Sequence, residues 1–176
     1  MEQVVSVIVV AHDPEWAQRF ESEAQLIHAT LGPAVSGLYH IGSTAIPGIY
    51  AKPVIDILAE VTVVEAIDDR TQLLVDQGYD AKVEFGLAGR RYFRKLSIDG
   101  VLKYHVHAYA AGSAAAVRYL AFRDYLRSHP DVAQEYSELK RRLAARYPSD
   151  MKAYMDGKDP FIKATERAAL AWWWSV

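Results

Sequence analysis

His40-Ile41-Gly42-Ser43-Thr44-Ala45-Ile46-Pro47-Gly48 runs almost directly into Ala51-Lys52-Pro53-Val54-Ile55-Asp56-Ile57. A Gly-Ser turn, a second turn and a carboxylate inside an apolar strand set a phosphate-binding loop beside a metal-binding acid. Gly42 can adopt backbone angles closed to other residues, and its missing Cβ lets a ligand approach. Successive backbone N–H groups there can form an anion nest, with the Ser43 and Thr44 hydroxyls as further donors. Ile46-Pro47-Gly48 fits a turn with Pro second and Gly third. Asp56 interrupts the apolar run Val54–Leu58, where an unpaired carboxylate is expensive. Such an acid is paired, hydrogen-bonded or metal-bound, unless the strand end delivers it to solvent.

Working outward, His105-Val106-His107 is the next constellation. Strand side chains alternate, so both imidazoles project from one face, together with Lys103 and Tyr109. That spacing suits two ligands on one metal, with His40 and Asp56 on neighbouring strands as further candidates. The plain alternative is a pair of half-exposed strand histidines. Arg90, Arg91, Arg94 and Lys95 lie on the preceding strand; Arg90 and Arg94 share one face, Arg91 and Lys95 the other, and only one set can face a site. Lys52 immediately precedes the Asp56 strand, within reach of a phosphate. Arg123 and Arg127 share a helical face, and arginine suits bidentate phosphate recognition. Surface charge is the plain reading of each. Tyr154, Lys158 and Phe161 read either as a tail segment folding back on the site, with Lys158 on phosphate, or as a helix anchor beside an exposed lysine. Trp16 and Trp172–Trp174 read as packing.

The pattern along the chain is mixed first and helical later. Val4–Ala11 reads as a short strand. Asp13-Pro14-Glu15 opens a helix whose apolar face is Trp16, Phe20, Ala24, Ile27 and Leu31, and Gly32-Pro33 closes it. Strands are expected at Val35–Ile41 and Pro53–Val61, a helix at Val63–Gln77, and strands at Tyr79–Glu84, Arg90–Ile98 and Val101–Tyr109. Asp99-Gly100 signals a two-residue hairpin. Helices follow at Ser113–Ser128 and Asp131–Tyr147, with a third, interrupted near Gly157, over Ser149–Met155 and Asp159–Trp174. The expectation is one domain, 1–176, with an α/β core over 1–111 and a helical part over 112–176.

Composition narrows the classes. The chain has 176 residues and a net charge of −2, so it can bury a real core, and general affinity for nucleic acid or acidic membranes is not expected, a local basic patch aside. It has no cysteine, which excludes disulfides, thiol nucleophiles and Cys-based zinc sites and suits a cytoplasmic setting. Neither a secretory leader nor a membrane-spanning run is expected.

The Gly-Ser turn followed by Asp in an apolar strand resembles the nucleotidyltransferase superfamily that includes DNA polymerase β. A narrower resemblance covers nearly the whole chain. His40–Pro47, Lys52–Ile57, Arg90-Arg91-Tyr92-Phe93, His105-Val106-His107, Phe122–Arg127, and Tyr154 with Lys158 and Phe161-Ile162 are similar to the GrpB family's signature. The resemblance implies an α/β (α+β) fold with a nucleotidyltransferase-like mixed sheet flanked by helices and a helical C-terminal part. It also implies a nucleotide phosphate on Gly42, Ser43 and Thr44, helped by Lys52, Arg90 or Arg91, and Lys158. A divalent ion would sit on Asp56, with His105, His107 and His40 as further ligands. The ion is magnesium or manganese for nucleotidyl transfer, and zinc or nickel suits the histidine pair.

The chain departs from the superfamily at the second acid of its D-x-D pair, which falls at Leu58. The third acid's position holds His105 or His107. Glu60 shares the face of Asp56, but four residues along a strand is about 13 Å. Two-metal chemistry needs shared carboxylates, so one ion is expected. Three readings follow: a nucleotidyltransferase-like enzyme with Asp56, His105 and His107 as ligands or general base; a non-catalytic module for a small phosphorylated ligand; and a single-metal His/Asp metalloenzyme. The expected partner is a small-molecule nucleotide or phosphorylated substrate, not nucleic acid or membrane.

Overall fold

Alternation along five strands decides what each face of the sheet carries. The computed structural model describes residues 6–176. The strands are β1 (Val35–Ile41), β2 (Ile55–Val61), β3 (Tyr79–Ala81), β4 (Arg91–Leu96) and β5 (Leu102–Ala110). They form one sheet in the order β1-β2-β5-β4-β3. β2 and β5 run parallel and every other neighbouring pair is antiparallel, so the sheet is mixed.

One face carries Ile57, Ala59, Phe93, Val106 and Ala108, packed with Trp16, Ile27 and Leu31 of helix α1 (Glu15–Leu31). Burying each large apolar side chain contributes roughly 1.5–3 kcal/mol, which makes this the structural face. The other face carries Asp56, Leu58 and Glu60 from β2 beside His105, His107 and Tyr109 from β5, in direct register. Helix α3 (Ala114–Ser128) closes part of that face, where Ile41, Leu58, Tyr109 and Ala116 cluster. Helices α4 (Pro130–Arg146) and α5 (Met151–Trp173) follow. Ile46 and Ile49, just after the Gly-Ser turn, pack with Leu126, Tyr136 and Phe161, which brings the helical segment against the turn.

Several local expectations change. Of the strand expected at Val4–Ala11, positions 1–5 lie outside the described residues, and the rest contributes only an isolated bridge from Val10 to Ala51. The helix expected over Val63–Gln77 is a 3-10 segment, Val64–Arg70, followed by α2 (Thr71–Asp76). The strand expected to reach Glu84 stops at Ala81, because Val83 and Phe85 take positive φ and cannot continue a pleat. The Asp99-Gly100 hairpin is a three-residue loop rather than a two-residue one. Gly100 N–H donates to Ser97 O and Ser97 N–H to Val101 O, with Gly100 at φ 79° supplying the left-handed residue of a bulged turn. The last helix is continuous through Gly157 and Pro160. Gly157 is a contact point, since a Cβ there would meet Leu143 Cδ2 of α4 at 2.5 Å.

Candidate functional site

The Gly-Ser turn and β2 meet around Asp56. Gly42 stands at φ 72°, ψ −173°, a region essentially confined to glycine. A Cβ added there would lie 2.7 Å from Asp56 Oδ2. The turn therefore needs glycine twice, for its backbone angles and for the carboxylate against it. Two arginines of α3 hold the turn from behind: Arg123 Nη1 donates to His40 O at 3.2 Å and Arg127 Nε to Ala45 O at 2.9 Å. These residues build the loop rather than reach into the site.

Asp56 Oδ1 lies 3.0 Å from His105 Nδ1 and 3.5 Å from His107 Nε2. Burial alone would raise the Asp56 pKa. Hydrogen bonds from His105 and His107 outweigh it and hold the carboxyl well below its ordinary range. One ligand atom from each of the three residues falls within 4.8 Å of the others. The two short separations match the edge between neighbouring ligands around one zinc-sized ion, about 3.3 Å for bonds near 2.0 Å. The donor set fits a single divalent ion. It does not fit two, because Leu58 is fully buried among apolar side chains where a second carboxylate would be needed.

Arg90 qualifies that fit. Its Nη1 lies 3.4 Å from His107 Nδ1, while Nε and Nη2 donate to Glu84 O and Phe85 O. A guanidinium has no lone pair to offer, so His107 Nδ1 accepts and the neutral ring carries its proton on Nε2, toward Asp56. A metal-bound histidine needs the reverse, with Nδ1–H facing an acceptor. His107 joins a metal only when Arg90 withdraws, whereas His105 meets no such obstacle.

The remaining expected residues divide sharply. His40 lies apart from the Asp56, His105 and His107 cluster. It pairs with Ile57, so alternation turns it to the α1 face, where it stacks on Phe20 at 5.0 Å. Its Nε2 donates to Thr44 Oγ1 at 2.9 Å, and burial, with nearby Arg127, lowers its pKa to about 4. The Thr44 hydroxyl is already engaged by that contact and by Val54 O, which leaves its backbone to the site. Arg91 faces away and forms a two-pronged pair with Asp68. Arg94 pairs with Asp80, and Lys95 with Glu23. Arg90 serves His107 and the 84–85 loop.

Asp56, His105, the Gly42–Thr44 turn and Lys52 share a cavity of about 250 Å³ with Tyr136, Lys140, Tyr154 and Lys158. Lys158 is buried rather than exposed, at 8% of its free surface. Lys140 was not singled out in the sequence. The signal that could have found it is a repeated spacing: Tyr136-x-x-x-Lys140 on α4 and Tyr154-x-x-x-Lys158 on α5. In each pair the ammonium sits over its tyrosine ring, at 4.3 and 4.5 Å. Tyr136 is pushed up to about 12 by burial, against the pull of a hydrogen bond with Ser43.

Known proteins bear on the family and the fold of this chain. The profile of the GrpB protein family matches residues 6–168. YqkA of Bacillus subtilis is 42% identical over 166 residues, which cover 94% of this chain and 48% of YqkA, so the chain spans about half the length of that relative. The crystal structure of conserved protein GrpB from Enterococcus faecalis superposes with a TM-score of 0.90 at 41% identity, over 95% of this chain and 99% of that one. The non-canonical poly(A) polymerase GLD-2, in its complex with GLD-3, superposes with a TM-score of 0.52 at 18% identity, over 74% of this chain and 45% of that one. That last likeness is one of fold, and it makes the fold nucleotidyltransferase-like. The chain belongs to the GrpB family.

Proposed function

We propose that the cavity binds a nucleotide, with its phosphates on the Gly42–Thr44 turn and Lys52, and transfers a nucleotidyl or phosphoryl group to a small acceptor. One observation carries this reading: Asp56, held ionised, faces a cavity in contact with the glycine of an anion-binding turn. Ser43 offers a hydroxyl and the turn offers backbone N–H groups to phosphate oxygens. Lys52 adds a cation whose amine has, among the described residues, Met151 Sδ at 3.8 Å as its hydrogen-bond partner. Asp56 and His105 would hold one divalent ion, magnesium or manganese for this chemistry, with zinc or nickel as the alternative that imidazole favours. Such an ion supplies charge neutralisation at the phosphate under attack. His107, protonated on Nε2, orients the Asp56 carboxylate.

The buried Leu58 favours a second reading, nucleotide binding without turnover, because the acid that would complete a two-metal centre is absent. A thermal-shift panel of nucleoside triphosphates crossed with magnesium, manganese, zinc and nickel tests the first reading. Stabilisation that needs nucleotide and metal together, and disappears in Asp56→Asn, is the expected result. A flat panel overturns it. Diphosphate release in the presence of small hydroxyl and amine acceptors separates transfer from binding alone.

A further inference from the structure

The helical wall of the cavity holds a group that the sheet's chemistry does not use. Lys140 is 2% exposed, and its Nζ has no hydrogen-bond partner among the described residues. It lines the cavity together with Lys158 and Lys52. A buried ammonium without a partner is costly, and neighbouring ammonium groups make it more so. Burial is the main cause that lowers Lys140 to about 7 and Lys158 to about 8; the charge of Lys158 adds to it for Lys140, and that of Lys52 for Lys158. The other titratable groups around them are Asp56, His105, Tyr136 and Tyr154. Asp56 is the one acid in that set, and it is already engaged by two histidines.

We infer that Lys140, Lys158 and Lys52 form a cradle for a chain of two or more phosphates, and that Lys140 sets the preference for polyphosphate over a single phosphate group. This rests on the reading of the cavity as a nucleotide site and names the anionic part of its ligand. Charge supports it. With all three charged, the lysines outweigh Asp56 by two, and a divalent ion brings the excess to about four, the charge of a fully ionised nucleoside triphosphate. A single phosphate carries about half of that. Geometry supports it as well. The three lysines come from α4, α5 and the approach to β2 and line one cavity with the Gly42–Thr44 turn, so an anion seated on the turn has all three around it.

Calorimetric titration with inorganic tripolyphosphate, diphosphate and phosphate, with divalent metal removed, tests the cradle by itself. Tripolyphosphate is expected to bind at least tenfold tighter than phosphate. Near pH 8 its binding is expected to take up about one proton or more, read from buffers of different ionisation enthalpy, because a seated anion recharges the lysines. Lys140→Met is expected to raise the melting temperature, to weaken tripolyphosphate about tenfold and to change phosphate binding less than twofold. Equal affinities for the three anions, or unchanged tripolyphosphate affinity in Lys140→Met, overturn the proposal. Should that variant not fold, Lys158→Met carries the same comparison, and the anion ranking and proton uptake of the unaltered chain decide by themselves. Asp56→Asn separates the two readings. It retains metal-free tripolyphosphate binding if the cradle is real, and it loses the joint nucleotide and metal stabilisation if the nucleotide reading is real.

Discussion

The two walls of the cavity are built on different rules. The sheet wall carries Asp56 and His105 on adjacent parallel strands in register, with His107 behind them, and both imidazoles reach the same carboxylate oxygen, Asp56 Oδ1. The helical wall carries Lys140 and Lys158 over tyrosine rings, and the Lys140 amine has none among the described residues. A satisfied pole is organised before any ligand arrives. An unsatisfied one stores a cost that a ligand can remove, which is how a binding site gains affinity at the expense of the empty protein's stability.

The largest effect that would break this contrast is at the sheet wall. Gly42→Ala is expected to destabilise by about 3–5 kcal/mol, because it adds a Cβ 2.7 Å from Asp56 Oδ2 at a glycine-only backbone conformation. Gly48→Ala is the control: φ is 78° but nothing lies within 4 Å, so a loss of about 1–2 kcal/mol is expected in denaturant unfolding. Equal losses at the two positions would mean that the carboxylate does not rest on the turn.

The next effect separates the α1 face of the sheet from the helical wall by pH. His40 and Lys140 both have folded pKa values below their unfolded ones, so in each window the unfolded chain binds a proton that the folded chain lacks, and stability rises with pH. For His40 the window is about pH 4 to 6.5, with stability lost as pH falls through it. For Lys140 it begins near pH 7 and extends upward toward the ordinary lysine value. Across its window His40 is expected to contribute about 3 kcal/mol and Lys140 about 5 kcal/mol. His40→Gln should flatten only the acid limb of a stability–pH curve, and Lys140→Met only the alkaline one. A single limb that responds to both variants would merge His40 and Lys140 into one titrating unit.

The smallest effect sharpens the boundary of the site. Arg91 and Asp68 form an ion pair on the opposite face, with Asp68 43% exposed. Arg91→Ala is expected to cost under about 1 kcal/mol and to leave tripolyphosphate affinity within twofold of the unaltered chain. A large loss of anion affinity would return Arg91 to the cavity.

Much of the sheet wall was legible beforehand, because strand geometry is local. His105 and His107 share a face whatever the fold around them, and a carboxylate inside Val54–Leu58 needs partners wherever the strand lies. Arg90 and Arg91 show where that reading stops. Alternation says that one of them faces the site, but which one depends on how β4 is registered against β5. Only that register shows Arg90 beside His107, where its donors decide which nitrogen of the imidazole holds the proton. His40 shows the same limit: its neighbour across the ladder is Ile57, not Asp56, which turns it to the other face. The strand that ends at Ala81 and the continuous helix through Gly157 were hidden because positive φ at Val83 and a close contact with Leu143 are tertiary facts.

By itself the sequence determined the turn, the acid, the histidine pair and the family to which they belong, since each is written in residues close together in the chain. Tertiary structure alone decided that these face a wall of lysines from α4 and α5. Lys140 and Asp56 are far apart in sequence, and the burial that makes an ammonium costly arises only when the helices close over the sheet.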